Sequence, residues 1–212
     1  MKILAIDSAH GTCSAAYFNG DRVVSEIAEE MERGQAERLI PMVQDVLKQA
    51  GVGFKEIEAV AVTTGPGSFT GVRVGLAAAD GIALAAGLPM IGVSVLETLA
   101  WKIHCHTPGL ENLCLVLETK RDDFYVQRYC RGVPSEDPAA KTAEEIKAFC
   151  SEYVFAGNGV GRLIEQIGDV EVCTVEMPTA ADVALLAADR KPRKEFPEAM
   201  YLREAEVTVC QK

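Results

Sequence analysis

The chain opens with two short β-type runs of apolar and small residues, 3–6 and 12–18, joined through Ser8-Ala9-His10-Gly11. A third run, 22–28, follows Asn19-Gly20-Asp21, where Asn-Gly favours the positive backbone dihedrals of a tight hairpin. Three antiparallel strands are therefore expected first. The period then becomes helical: Leu39, Val43, Val46 and Ala50, flanked by Ile40, Met42 and Leu47, make an apolar stripe over 35–50 that is wider than one contact needs. Pro41 lacks an N–H, so it is expected to mark the true first turn or a kink, and Gly51 closes the helix. Residues 57–62 read as a fourth strand, an alanine-rich helix runs to Ala86, 89–93 form a fifth strand and 95–103 another helix.

After Pro108-Gly109 the pattern restarts. Residues 113–117 are apolar, 124–130 alternate, 143–150 have helical spacing and 153–156 read as a strand. Gly157-Asn158-Gly159 turns into a helix over 160–167, with a strand expected at 170–175 and an alanine-rich helix at 179–189. The predicted division is residues 1–107 and 108–212, with the tail past Lys191 charged and peripheral. The order β-β-β-α-β-α-β-α, with Asp7 ending the first strand, is that of a ribonuclease-H-like or actin-like half-domain. The expected class is α/β, with two such half-domains built on mixed sheets, the second smaller and degenerate.

Between the fourth strand and its helix lies Thr63-Thr64-Gly65-Pro66-Gly67-Ser68-Phe69-Thr70-Gly71-Val72-Arg73-Val74-Gly75. Gly65 and Gly67 flank a proline and demand a tight turn, and Ser68 or Thr70 can cap the helix start. Such a start suits anions. It is nevertheless no Walker loop, because Val72 and Arg73 follow Gly71 where Lys and Ser or Thr belong. It is no dinucleotide fingerprint either, because three residues separate Gly67 from Gly71 where two are required. Gly67, Gly71, Gly75 and Ala79 instead align small side chains every fourth residue. Each mid-helix glycine costs about 1 kcal/mol relative to alanine, so close packing must offset it. That packing is either against the helix's own sheet or against a helix of another chain.

Composition narrows the function. A formal charge of −10 and 6 % aromatic content disfavour nucleic-acid binding by this chain alone. The clusters Lys120, Arg121, Arg128, Arg131 and Arg190, Lys191, Arg193, Lys194 are read as solvated surface. Seven scattered cysteines without C-x-x-C spacing suggest reduced thiols and a cytoplasmic setting. No export signal is visible, and the uncharged run 81–96 is shorter than the roughly 20 residues of a membrane span. His104, Cys105 and His106 are ligand types without a further ligand pair, so no metal site is expected. No nucleophile is paired with a recognisable base, which gives a peptidase reading no support.

The chain resembles the bacterial TsaB (YeaZ) family, which serves threonylcarbamoyl modification of the adenosine beside the tRNA anticodon. The resemblance rests on Ile3-Leu4-Ala5-Ile6-Asp7-Ser8, Arg38-Leu39-Ile40-Pro41-Met42-Val43, residues 65–75, Pro89-Met90-Ile91-Gly92-Val93-Ser94 and Tyr201-Leu202-Arg203. It is strong over residues 1–100 and weaker beyond. It implies two actin-like half-domains, no independent catalysis, a helix-mediated heterodimer with the catalytic paralogue TsaD, and a small ATPase, TsaE, joining them. Contact with tRNA would be indirect, through the complex, and a homodimer is expected in isolation. No cofactor is expected on this chain, with ATP or ADP and magnesium entering in the complex alone.

The resemblance places the partner interface on the helices 35–50 and 70–86, through Gln35, Leu39, Met42, Val43, Val46, Gly71, Val72, Gly75 and Ala79, and so favours the intermolecular reading of the small stripe. Candidate anion or nucleotide contacts are Asp7, Ser8, Thr12, Ser68, Thr70, Arg73 and Arg121, under the competing expectation of a stand-alone actin-like kinase or ATPase. Against that expectation, residues 118–121 lack the glycine a second phosphate loop would use. Two departures from the family stand out. Gln35 replaces a usual histidine, and Glu118-Thr119-Lys120-Arg121 replaces Asp-Ala-Arg-Arg, which leaves a role for Glu118 open. The His-x-x-x-His of the metal-binding paralogue is missing.

Overall fold

A computed structural model describes residues 1–119 and 121–203. The first sheet contains β1 (Ile3–His10), β2 (Thr12–Phe18), β3 (Val23–Glu30), β4 (Ala59–Thr63) and β5 (Met90–Val93), in the spatial order β3-β2-β1-β4-β5. The first three strands pair antiparallel, whereas β1, β4 and β5 run parallel. Parallel neighbours need crossovers. These are α1 (Gln35–Ala50), between β3 and β4, and α2 (Phe69–Ala86), between β4 and β5; α3 (Val95–His106) follows.

All eight residues of β1 are buried because the sheet is covered on both faces. Leu4 and Ile6 face the core shared with α1 and α2, and the alternate Ile3 and Ala5 face the opposite cluster. In α1, Leu39, Met42, Val43, Val46 and Leu47 lie on the sheet. Pro41 neither starts nor ends that helix: it is interior but solvent-facing, so the carbonyl it leaves without an N–H partner can turn to water.

The second sheet contains β6 (Asn112–Glu118), β7 (Asp123–Cys130), β8 (Val133–Pro134), β9 (Ala139–Thr142) and β10 (Val154–Ala156). Its order is β10-β6-β7-β8, with β9 also paired to β7. Around it, α4 (Ala143–Lys147) and α5 (Val160–Ile167) close a core of Phe124, Ile146, Phe155 and Leu163. The strand expected at 170–175 reduces to an isolated bridge between Phe155 and Val172.

The predicted division at residue 107 needs a correction at its far end. The last helix, α6 (Ala180–Ala188), returns to the first sheet and packs Ala180, Val183, Ala184 and Ala187 against Ile3, Ala5, Ala16 and Ala61. Ser14 Oγ accepts from its Ala180 N–H at 2.9 Å. The two halves also share one core, which runs from Leu96 and Leu99 to Leu113 and Leu115. By length and composition α2 is apolar enough to cross a membrane, with mean hydropathy 1.3 over 18 residues. In this fold one of its faces lies on β1 and β4.

Candidate functional site

The candidate contacts Asp7 and Ser8 on β1 are engaged by other residues of the chain. Asp7 is 1 % exposed. Its Oδ1 accepts from Thr63 Oγ1 at 2.5 Å and from the Ala9 N–H at 3.1 Å. Its Oδ2 lies 3.2 Å from His10 Nε2, outside hydrogen-bonding geometry. Ser8 Oγ donates to the Gly71 carbonyl at 2.8 Å. Above them the 65–71 turn is seated directly on β1: Ser68 N donates to Ala9 O at 2.7 Å, and Ser68 Oγ caps α2 through the Gly71 N–H at 3.3 Å. A phosphate held by Asp7 and Ser8 would have to displace this packing.

Asp7→Ala should leave a buried N–H and a buried hydroxyl without their acceptor. The expected loss is about 2–3 kcal/mol of stability, read from urea denaturation. Beside this cluster, burial and then the Asp7 carboxylate push the Cys13 thiol up to about 11, and burial pushes Cys114 up to about 12. The six described cysteines are all free; Cys210 lies outside the described residues. Alkylation of the folded protein should therefore mark exposed Cys105 and Cys130 and spare Cys13 and Cys114, as peptide mass spectrometry would show.

Other candidates lie apart from this cluster. Thr12, Ser68 and Thr70 border it, with Ser68 and Thr70 exposed. Arg73 sits one turn into α2, its guanidinium 3.7 Å from the Phe69 ring centroid and its Nε donating to Tyr201 Oη at 2.9 Å. Arg121 belongs to the exposed β6–β7 turn. Glu118 accepts a bidentate pair from Arg162, both contacts 2.8 Å, and Arg162 also stacks 3.9 Å over Phe124. These contacts give Glu118 a structural role. Gln35 Nε2 donates to Met31 O at 3.0 Å at the start of α1. Among the described basic residues, Arg128 pairs with Glu136, Arg131 with Glu111 and Arg190 with Glu97; Lys120 lies outside the described residues.

Of the expected interface residues, Leu39, Met42, Val43, Val46, Gly71, Val72, Gly75 and Ala79 are buried within this chain, and Leu39 also lines the groove between the two helices. Added Cβ atoms at Gly67 and Gly71 would stand 2.1 Å from the carbonyl oxygens of Ala9 and Ser8, and at Gly75 2.8 Å from Ser8 Oγ. The small stripe is thus fitted to β1.

What the two helices leave open is the groove between them, about 820 Å³, walled by Ala36, Ile40 and Phe54 on one side and by Val74, Ala78 and Ala85 on the other. Ile40 is 41 % exposed, and Leu84 on the adjoining face 80 %. The groove went unread in the sequence. Its signal was a second α2 stripe, Val74, Ala78, Gly81 and Ala85, hidden because that helix is apolar nearly all round.

The tandem mixed sheets, with Asp7 on β1 just past its parallel pairing with β4 and helices over the first sheet's two faces, define an actin-like α/β protein. A family profile described as TsaD, tRNA N6-adenosine threonylcarbamoyltransferase, matches residues 22–167. The chain is 34 % identical to the tRNA threonylcarbamoyladenosine biosynthesis protein TsaB of Escherichia coli K12, over 96 % of this chain and 95 % of that one. A solved Pseudomonas aeruginosa protein described as similar to peptidase YEAZ superposes with TM-score 0.82 at 29 % identity, covering 95 % of this chain and 99 % of its own. Component A of the Acidaminococcus fermentans (R)-2-hydroxyglutaryl-CoA dehydratase shares the fold alone, at TM-score 0.52 and 13 % identity. The chain belongs to the TsaB (YeaZ) family of the actin-like ATPase superfamily.

Proposed function

We propose that the protein serves tRNA threonylcarbamoyladenosine biosynthesis as a non-catalytic dimerisation and activating subunit, docking the host's TsaD homologue into the groove between α1 and α2. The observation that carries this reading is the groove itself. It is apolar but for Lys55 and lined by α1, α2 and residues 54–55. A partner's helix laid there would bury Ile40, Phe54 and Ala78 together, the arrangement of a helix-in-groove contact. The locked Asp7 and Ser8 support assigning the chemistry to the partner.

In isolation the same apolar face would pair with a second copy, giving a homodimer that the partner displaces. Co-purification of the chain with the TsaD homologue, followed by threonylcarbamoyl transfer assays with and without it, tests the proposal. The expected result is a stoichiometric complex and transfer that depends on this chain. Full transfer in its absence would overturn it.

A further inference from the structure

After α6 the chain runs along the outer edge of β5 and is fixed there at three points. Met90 N donates to Arg193 O at 2.7 Å, and Arg193 N to Met90 O at 2.8 Å. A Cβ on Gly92 would stand 2.7 Å from Pro197 Cβ, and Met200 N donates to Thr64 O at 2.7 Å. Between this segment and β5 lies a second cavity, about 680 Å³, bordered by Ile91 of the strand and by Arg190, Lys191, Arg193 and Phe196 of the segment.

Four cations fall within the five residues 190–194, in a chain whose formal charge is −10. They are not held alike. Arg190 is engaged, since it pairs with Glu97 and its Nη1 donates to Gly92 O at 3.5 Å. Lys191, Arg193 and Lys194 are exposed, and none of them pairs with a carboxylate among the described residues. Exposed, hydrated cations gain little from a single small anion. On a polyanion their contacts add, because each phosphate neutralised releases a condensed counterion. Backbone bonds at Arg193 fix where these cations stand, so a strand of phosphates meets them in a set order. Stacking of a base needs an aromatic face, and Phe196, 45 % exposed, supplies one on the same wall.

We infer that the cavity beside β5 is an RNA contact surface, in which Lys191, Arg193 and Lys194 meet successive backbone phosphates and Phe196 stacks on an unpaired base. Glu195 and Glu198 also line it and, with the charge of the whole chain, keep the affinity of the isolated protein low. The inference rests on the proposed part in tRNA threonylcarbamoyladenosine biosynthesis, but not on what occupies the groove between α1 and α2.

Fluorescence anisotropy of a labelled, unmodified tRNA transcript, titrated with the full chain at about 50 mM salt, tests it. Lys191→Ala/Arg193→Ala/Lys194→Ala should lower the affinity on the order of tenfold or more and reduce the slope of log affinity against log salt by about 2 to 3. Phe196→Ala should cost about fivefold. Arg22→Ala/Lys48→Ala/Lys147→Ala removes the same formal charge from other exposed positions and should cost less than about twofold. Glu195→Gln/Glu198→Gln should raise the affinity about threefold, a gain that a misfolded variant would not give. Inorganic phosphate should compete no better than chloride at matched ionic strength. No binding by the unmutated chain, unchanged affinity in the first triple variant, or equal loss in both triple variants would each overturn the RNA surface. So would tight competition by inorganic phosphate, which would make the cavity a small-anion site. Binding of the TsaD homologue, measured on the same proteins, should not differ among them. Failure of partner binding with RNA binding intact therefore counts against the groove alone, and the reverse against this surface alone.

Discussion

Gly71→Ala should destabilise the protein by about 3 kcal/mol or more, a large effect for adding one methyl group. The added carbon would stand 2.1 Å from the Ser8 carbonyl oxygen, far inside any tolerated contact, and that oxygen belongs to the central strand of a sheet packed on both faces. Neither side can yield cheaply. Moving α2 outward would break the Ser8 Oγ to Gly71 O bond and pull Val72 and Leu76 from the core. Moving β1 would disturb both of its paired neighbours. Gly81→Ala on the same helix meets nothing within 4 Å and should stabilise it by about 0.5–1 kcal/mol. Urea denaturation of the two variants side by side checks the contrast. A Gly71→Ala protein as stable as the parent would mean that α2 does not rest on Ser8.

This contrast explains why the small-residue stripe could be found in the sequence but not assigned. Gly67, Gly71 and Gly75 announce that something approaches the helix closely. A backbone oxygen of the same chain and a helix of another chain make the same demand on side-chain size. Periodicity located β1 to β5 and α1 to α3 well because alternation and the helical stripe differ strongly there.

It failed where residues carry little contrast. The destination of α6 was illegible, since an alanine-rich helix fits either sheet, and no local signal reports the contact between Ser14 and Ala180 across 166 positions. Strands β8 and β9 are short, the first exposed and the second mostly half-buried, and owe their form to pairing with β7. At 170–175 the expected strand pairs only at Val172, although Val170, Cys173 and Val175 pack partly buried against the cores. Asp7 was expected to end a strand over 3–6, but β1 runs on to His10, and the engagement of Asp7 by Thr63 depends on the register of β1 against β4.

Ile40→Asp combined with Ala77→Glu should weaken association with the TsaD homologue on the order of 100-fold or more, and should weaken self-association too. Both positions are solvent-exposed and both border the groove. In the free chain the new carboxylates stay hydrated, and the thermal midpoint should remain close to the parent's. Bound, they would be driven into an apolar contact without a counter-charge, the costliest arrangement for an ionised group. Val24→Asp places one such carboxylate on β3, on a residue 42 % exposed and outside the groove, and should leave association unchanged. Calorimetric titration of the partner against the three proteins, with sedimentation for self-association, separates the outcomes. Undiminished binding by the groove double variant would move the docking site off α1 and α2. Equal loss in the Val24→Asp protein would point to the chain's overall negative charge instead of to the groove.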